Sequence, residues 1–345
     1  MDELVPLARI PEPIKHVAAR VEDWVHEHRE AGALRSGRMP AIVTYPGYGG
    51  EGWVRVLARV LLVEPGGERG ALYENVRGWR SFTSLALNDV DVMIEAGGER
   101  HVVTADRGGL VDARVPMQLE PGWREVTVSV AGSAPVTAPV FVVDPATRFG
   151  VVSDIDDTVM VTSLPRPLLA AWNAFVLDEH ARSPVPGMAV LYERIAQRHP
   201  ESPFIYLSTG AWNAAPALTR FLSRNLYPAG SMLLTDWGPT PDRFFRSGKE
   251  HKRAQLRRLA RELPHVRWLL VGDDGQHDEE LYGEFASAHP EHVRAVAIRE
   301  LSAQEAVLAG GRKHADTRSM HPWVWSSNGG GLAKELGAIP ELDIL

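Results

Sequence analysis

The chain has 345 residues, of which 44% are apolar, and a formal net charge of −7. This length suits one large or two ordinary domains, and we predict two. The acidic balance argues against a general nucleic-acid-binding protein. The absence of cysteine excludes disulfides, thiolate zinc sites and a cysteine nucleophile, so any metal ion must be held by oxygen or imidazole ligands.

An amphipathic helix is predicted near the N-terminus, within residues 1–39, because apolar residues recur at helical spacing between 12 and 34. Its polar face mixes acidic and basic residues, so packing on a neighbouring element is favoured over binding at a membrane surface. No segment approaches the roughly 20 apolar residues that cross a bilayer, and the N-terminus lacks the features of a secretory signal. We therefore expect a cytoplasmic protein, with peripheral contact to a membrane left open.

An all-β sandwich is predicted for residues 40–147. Segments such as 54–62 and 126–130 alternate apolar and polar residues, and turn-forming glycines separate such segments. A glycine-rich run at 45–52 could cradle a phosphate, but it lacks the Gly-Lys-Ser/Thr ending of a nucleotide-binding loop. We interpret that run as a loop before a strand. The domain could be a rigid scaffold or bind a partner.

A parallel α/β sheet is predicted for residues 148–305. Apolar strands near 149–153, 203–208, 231–235, 266–272 and 293–298 alternate with segments of helical periodicity. Ligands of such sheets bind beyond the carboxyl ends of the strands, where the polar residues that follow each strand lie. The tail, residues 306–345, carries no pattern that indicates a role.

Acidic residues follow two of these strands. Asp154, Asp156 and Thr158 follow the first strand, and Asp273 and Asp278 follow the fourth. Closely spaced carboxylates raise one another's pKa, and they persist where a cation neutralises them or where one must stay protonated. An acidic turn that caps the next helix is the alternative for the first cluster read alone. Two clusters at one edge of a sheet favour a site for a hard divalent cation.

Polar residues that could hold a phosphate occur at two further places. The second strand ends at Ser208 and Thr209, whose hydroxyls and following amides could bind a phosphate oxygen, although both residue types are also common helix caps. Lys252 lies in a basic run at the start of a predicted helix, where each cation opposes the helix dipole by about 0.3 to 1 kcal/mol. An anionic neighbour would compensate, and the alternative is a solvated face.

The order of these elements resembles the haloacid dehalogenase superfamily of phosphotransferases. Its Asp-x-Asp-x-Thr pattern matches residues 154–158, its strand-end serine Ser208, its lysine Lys252, and its Gly-Asp-x-x-x-x-Asp pattern residues 272–278. More narrowly, residues 40–305 resemble bacterial relatives of the actin-patch phosphatidate phosphatase family. The resemblance is carried by runs at 149–159, 186–188, 212–213, 234–238, 251–252 and 271–276. Where that family has Ser-Asn-Ser-Pro-Trp, this chain has Ser-Thr-Gly-Ala-Trp at 208–212, which leaves the substrate open.

The resemblance implies a Rossmann-like parallel sheet of the haloacid dehalogenase type with a minimal cap. It implies that Asp154 is the nucleophile that carries an aspartyl-phosphate, and that Asp156 is the general acid and base. It further implies catalytic roles for Ser208 and Lys252, and Mg²⁺ as the cofactor. The expected Mg²⁺ ligands are Asp154, Asp156 (through its backbone carbonyl), Asp273 and Asp278, and the expected substrate contacts include Thr158, Thr209 and Arg182.

Three functions stay open at this point. The favoured one is a Mg²⁺-dependent phosphatase that converts phosphatidate to diacylglycerol and phosphate. The others are a phosphatase of a soluble phosphate ester and a non-catalytic module that binds phospholipids. The segment 159–186 is short for a full cap, so we expect an open site that admits large substrates, with Arg166 and Arg182 near an anionic group. An ordinary small helix packed on the core is the alternative for this segment. No nucleic-acid partner is expected, and the sequence indicates no oligomeric state.

Overall fold

The structure is a computed structural model that describes residues 32–64, 85–161, 183–235, 248–275, 277–308 and 321–345. These residues form a mixed α/β fold with two main sheets, one of eight strands and one of six. The predicted N-terminal helix lies almost wholly outside the described residues. No helix in the described part of the chain combines the length and the apolar character that crossing a bilayer requires.

The first sheet has the strand order β3-β2-β1-β8-β7-β4-β5, with β6 also paired to β2. All its pairings are antiparallel except that of β1 with β8. The segments predicted as strands at 54–62 and 126–130 are strands. The strands are β1 (Met39–Gly50), β2 (Trp53–Val63), β3 (Leu85–Ala86), β4 (Asp91–Ala96), β5 (Glu99–Thr104), β6 (Leu110–Pro116), β7 (Gly122–Val130) and β8 (Val136–Val142).

The interpretation of residues 45–52 as a loop was wrong for most of that run. These residues form the end of β1 and the tight turn into β2, with a register shift between Tyr45 and Tyr48. A side chain at Gly47 or Gly49 would collide with the backbone of β2, at 2.2 Å from the Arg55 carbonyl oxygen and 2.6 Å from that of Trp53. The glycines therefore permit the close approach of two strands, which explains the run without a phosphate.

The second sheet is entirely parallel and has the order β13-β12-β9-β14-β15-β16. Its five predicted strands are confirmed, and their burial on both faces is typical of parallel sheets covered by helices. A short pair, β10 (Met160–Val161) and β11 (Ser183–Pro184), lies beside it. The sheet strands are β9 (Phe149–Asp154), β12 (Phe204–Ala211), β13 (Ser231–Thr235), β14 (Arg267–Asp273), β15 (Val293–Arg299) and β16 (Trp323–Ser326).

Six helices belong to the described residues around the second sheet. They are α1 (Met188–Arg198), α2 (Ala215–Arg224), α3 (Gly248–Glu262), α4 (Asp278–Ala288), α5 (Ala303–Leu308) and α6 (Gly329–Gly337). The tail, for which the sequence indicated no role, contributes β16 and α6 to this part of the fold. Leu332 and Leu336 of α6 are buried in the same core as the parallel sheet.

Strand β2 is buried on both faces because it lies between two cores. Trp53 and Leu57 pack with the parallel sheet, whereas Val54 and Val56 point to the other side and pack within the first sheet. Polar contacts join the same two regions, since the Tyr48 hydroxyl donates to Glu262 at 2.6 Å. The first sheet is therefore seated directly against the α/β region that carries the candidate site.

Candidate active site

The candidate site lies at the carboxyl edge of the parallel sheet. In the register of this sheet, Asp154 at the end of β9 pairs with Leu207 of β12, and Ser153 pairs with Val271 of β14. The residues that follow these three strands therefore emerge side by side. This is why positions more than 100 residues apart in the sequence meet at one place.

Three carboxylates cluster at this edge. Asp154, Asp273 and Asp278 each offer one oxygen, and these oxygens lie within 4.8 Å of one another. All three residues are at most 1% exposed. Lys252 reaches the cluster from the second turn of α3, and its Nζ lies 2.7 Å from Asp154 Oδ1 and 2.6 Å from Asp278 Oδ1. Two of the three buried carboxylates thus contact one ammonium group.

The charges of this cluster do not cancel, and the pKa values of its members reflect this. Burial raises the pKa of Asp154 well above its ordinary value, Lys252 opposes that rise, and the neighbouring Asp278 adds to it. Burial and the charge of Asp278 likewise raise the pKa of Asp273. Burial alone would lower the pKa of Lys252, but Asp154 and Asp278 raise it above its ordinary value. Lys252 therefore stays charged, while the carboxylates lack a sufficient counter-charge.

The serine and the second aspartate of the motifs contact each other. Ser208 Oγ donates to Asp156 Oδ2 at 2.9 Å and accepts a hydrogen bond from the Gly210 amide at 2.9 Å. The carboxylate of Asp156 therefore lies toward Ser208 and is not one of the three clustered carboxylates. The Thr158 hydroxyl is buried and has no hydrogen-bond partner among the described residues. The Thr209 carbonyl accepts a hydrogen bond from Thr235 at 2.8 Å.

The structure thus brings together Asp154, Asp273, Asp278 and Lys252, and it places Asp156, which contacts Ser208, close enough to raise the pKa of Asp154. Arg166 and Arg182 lie outside the described residues, as does most of the segment predicted to form a small cap. Sequence analysis missed Arg299, whose guanidinium donates to the Asp157 carbonyl at 2.6 Å. The rule that polar residues at strand ends line such sites would have found it, because Arg299 ends β15.

The clustered carboxylates fit a hard divalent cation. Such ions take oxygen ligands, and Mg²⁺ in particular is held by a few carboxylates, water and substrate phosphate. Asp154 Oδ2 is buried and accepts no hydrogen bond from the described residues, so this oxygen is available to a ligand. A cation would also supply the missing positive charge. The donor set therefore suits Mg²⁺ better than a softer metal ion.

Comparisons with known proteins point to the same region. Residues 149–300 match the family model described as the catalytic domain of phosphatidate phosphatase APP1. Over 152 residues the chain is 26% identical to phosphatidate phosphatase APP1 of Saccharomyces cerevisiae and 24% identical to an uncharacterized protein of Schizosaccharomyces pombe. Each alignment covers 44% of this chain and 25% of the relative, so the chain aligns with about a quarter of these relatives' length.

Among solved structures, the chain is similar to a carbohydrate acetylesterase from Xanthomonas citri. That match has a TM-score of 0.26 and 9% sequence identity, and it covers 76% of this chain and 70% of the other. A similarity this low carries no argument about fold or function. The sequence matches therefore carry the comparison, and the similarity to the phosphatidate phosphatase catalytic domain extends over β9 to β15.

Proposed function

We propose that this protein is a phosphoric monoester hydrolase that converts phosphatidate to diacylglycerol and phosphate. The observation that carries the proposal is the buried cluster of Asp154, Asp273 and Asp278 around Lys252, inside the region that matches a phosphatidate phosphatase catalytic domain. Buried acids with raised pKa values are typical of functional sites. A cytoplasmic protein that contacts the membrane only peripherally is part of this proposal.

The chemistry assigned to the side chains follows their surroundings. The Asp154 carboxylate attacks phosphorus, and the bond from phosphorus to the alcohol oxygen breaks as an aspartyl-phosphate forms. Asp156 donates a proton to the leaving alcohol, and then accepts one from the water that attacks the aspartyl-phosphate. The hydrogen bond from Ser208 at 2.9 Å keeps the Asp156 carboxyl group in one orientation.

Lys252 has two roles in this scheme. Its contact with Asp154 Oδ1 at 2.7 Å holds the nucleophile, and its charge lowers the repulsion between a carboxylate and a phosphate dianion. Asp154, Asp273 and Asp278 would hold Mg²⁺, as would the backbone carbonyl of Asp156. When bound, Mg²⁺ supplies further neutralisation of phosphate charge. Thr158, Thr209 and Arg182 are proposed to contact the substrate.

The finer fold assignments belong to the same proposal. We assign the parallel sheet to the haloacid dehalogenase type with a minimal cap, and the support for this is the arrangement of acidic motifs at its carboxyl edge. We assign the first sheet to a β-sandwich domain, supported by its alternating burial in β7. The boundaries of 40–147 for this domain and 148–305 for the catalytic domain stay predictions.

The test is Mg²⁺-dependent phosphate release by the purified full chain. Mixed micelles that contain phosphatidate are compared with a panel of soluble phosphomonoesters, with EDTA and the Asp154→Asn variant as controls. We expect release from phosphatidate that EDTA and the substitution both abolish. Release from the soluble panel alone would show that the protein is a phosphatase of a soluble phosphate ester. No release from any substrate, together with binding to the micelles, would indicate a lipid-binding module.

A further inference from the structure

Arg299 joins the two acidic loops of the candidate site, although no step of the proposed reaction uses it. Its Nη1 donates to the Asp157 carbonyl at 2.6 Å, in the loop after β9. Its own backbone carbonyl accepts a hydrogen bond from the Asp274 amide at 3.1 Å, in the loop after β14. One residue therefore touches the segment beside Asp156 and the segment beside Asp273.

The contact with Asp157 holds an uncommon backbone conformation. Asp157 has a φ of 56°, in the left-handed region that residues other than glycine rarely adopt. Two hydrogen bonds fix it, one from its amide to the Met160 carbonyl at 2.7 Å and one from Arg299 to its carbonyl. Because the Asp157 amide and the Asp156 carbonyl belong to one peptide unit, these bonds fix the backbone next to Asp156, including the carbonyl proposed as an Mg²⁺ ligand. Strained residues that the surroundings hold in place are often part of a functional site.

The guanidinium of Arg299 is itself fixed. Its side chain is 6% exposed, and Nη2 donates to Glu305 Oε1 at 2.7 Å. Glu305 and Ser302 form reciprocal bonds at the start of α5, where the Ser302 amide donates to Glu305 Oε2 at 2.8 Å. Burial would raise the pKa of Glu305, but the hydrogen bonds from Arg299 and Ser302 hold it below its ordinary value. Arg299 therefore has a charged and well-placed partner on the side away from the site.

We propose that Arg299 is a positioning residue that fixes the acidic loop after β9 against the acidic loop after β14. It is not among the residues proposed to contact substrate or metal, and it acts through the backbone of Asp157 and Asp274. Its effect on turnover rests on the proposed function. Its effect on the loops themselves does not depend on that function. Loss of a partner that orients ligand residues typically lowers metal affinity or activity by about 10- to 100-fold.

The test compares Arg299→Ala with a matched control from the same strand. Arg294 lies at the other end of β15 and also donates to backbone carbonyls, those of Leu342 and Glu341. We expect Arg299→Ala to lower kcat about 10- to 100-fold with little change in KM, and to weaken Mg²⁺ binding by about tenfold in calorimetry on the metal-free protein. Arg294→Ala should change neither kcat nor Mg²⁺ binding, even if it lowers the unfolding midpoint. Methylguanidinium should restore part of kcat in Arg299→Ala alone, because it can occupy the vacated position.

Hydrogen exchange in the peptide that spans residues 154–161 measures local opening of the loop after β9, and it requires neither substrate nor Mg²⁺. We expect faster exchange in Arg299→Ala and unchanged exchange in Arg294→Ala. If Arg299→Ala does not fold, Glu305→Gln weakens the hold on the guanidinium and should move every readout in the same direction by less. A wild type that releases no phosphate would refute the proposed function, and exchange would then decide the inference alone. Exchange in Arg299→Ala no faster than in the control would overturn the positioning role.

Discussion

Two clusters of largely buried charges, one at the interface between the sheets and one at the edge of the parallel sheet, differ in balance. At the interface, Arg55 pairs with Asp112 at 2.6 Å and with Glu262, and Arg258 pairs with Asp112 at 2.7 Å. Two cations therefore meet two carboxylates. At the edge of the sheet, three carboxylates lie together and Lys252 pairs with two of them. The first cluster is balanced in the folded chain, whereas the second has a surplus of negative charge.

The carboxyl pKa values shift in opposite directions in the two clusters, and in each cluster the balance of neighbouring charges decides the direction. Burial raises the pKa of Asp112, but Arg258 and Arg55 outweigh it and hold the pKa below its ordinary value. At the edge of the sheet, burial and neighbouring carboxylates raise the pKa values of Asp154 and Asp273 despite Lys252. Burial of charge therefore does not by itself mark a functional site. What separates the two clusters is the surplus of negative charge.

The largest effect is expected from Asp154→Asn. This change removes the proposed nucleophile but leaves a side chain of the same shape, so we expect turnover to fall by about three orders of magnitude or more. The unfolding free energy of the metal-free protein should not fall, because one of three crowded carboxylates is neutralised. Phosphate release and urea unfolding measure the two effects. Full activity in this variant would refute the assignment of Asp154.

Lys252→Met tests the dependence of the crowded cluster on its cation. It leaves Asp154 and Asp278 buried without the ammonium, so we expect the metal-free protein to lose about 3 to 5 kcal/mol of unfolding free energy. Mg²⁺ should restore part of this loss, and more than it adds to the wild type, because it supplies the missing charge. Denaturant unfolding with and without Mg²⁺ measures both.

The matched control for Lys252→Met lies one turn earlier on α3. Lys249 pairs with Glu280, whose side chain is 46% exposed, so Lys249→Met should cost less than about 1 kcal/mol. Equal losses in the two lysine variants would show that the buried cluster does not depend on Lys252.

The edge of the parallel sheet was more predictable from the sequence than the interface. The apolar run at 149–154 and the acids after it are local features, and the geometry of parallel sheets then places the strand ends together. The hydrogen bond between Arg55 and Glu262 joins residues 207 positions apart, and no local sequence pattern predicts it. The strand at 323–326 was missed because a run of four residues is too short to establish a periodicity, and its pairing with β15 decides its conformation.

Glu262→Gln tests the balanced cluster. It removes the negative charge that faces Arg55 but keeps an acceptor oxygen, so we expect a loss of about 3 kcal/mol, at the lower end for a broken buried pair. Its control is Glu284→Gln on the exposed pair with Arg253, which should cost less than about 1 kcal/mol. Both variants should keep the wild-type kcat for phosphate release. A fall in kcat with Glu262→Gln at temperatures where it stays folded would show that the interface also serves the site.

The smallest effect, and the most direct contrast between the clusters, is the pH dependence of stability in the metal-free protein. Asp112 has a folded-state pKa below its ordinary 3.8, so its stabilising contribution is present above that value and is lost as pH falls through the folded-state pKa. Asp273 has a raised folded-state pKa, so its contribution is present below 3.8 and is lost as pH rises through the folded-state pKa.

Relative to the wild type, Asp112→Asn should therefore be least stable at neutral pH and recover in acid. Asp273→Asn should be more stable than the wild type at neutral pH, and its advantage should vanish in acid. Each group changes the slope of unfolding free energy by at most about 1.4 kcal/mol per pH unit, which urea unfolding across the acid range resolves. Slopes of the same sign in the two variants would remove the distinction between a balanced and a surplus cluster.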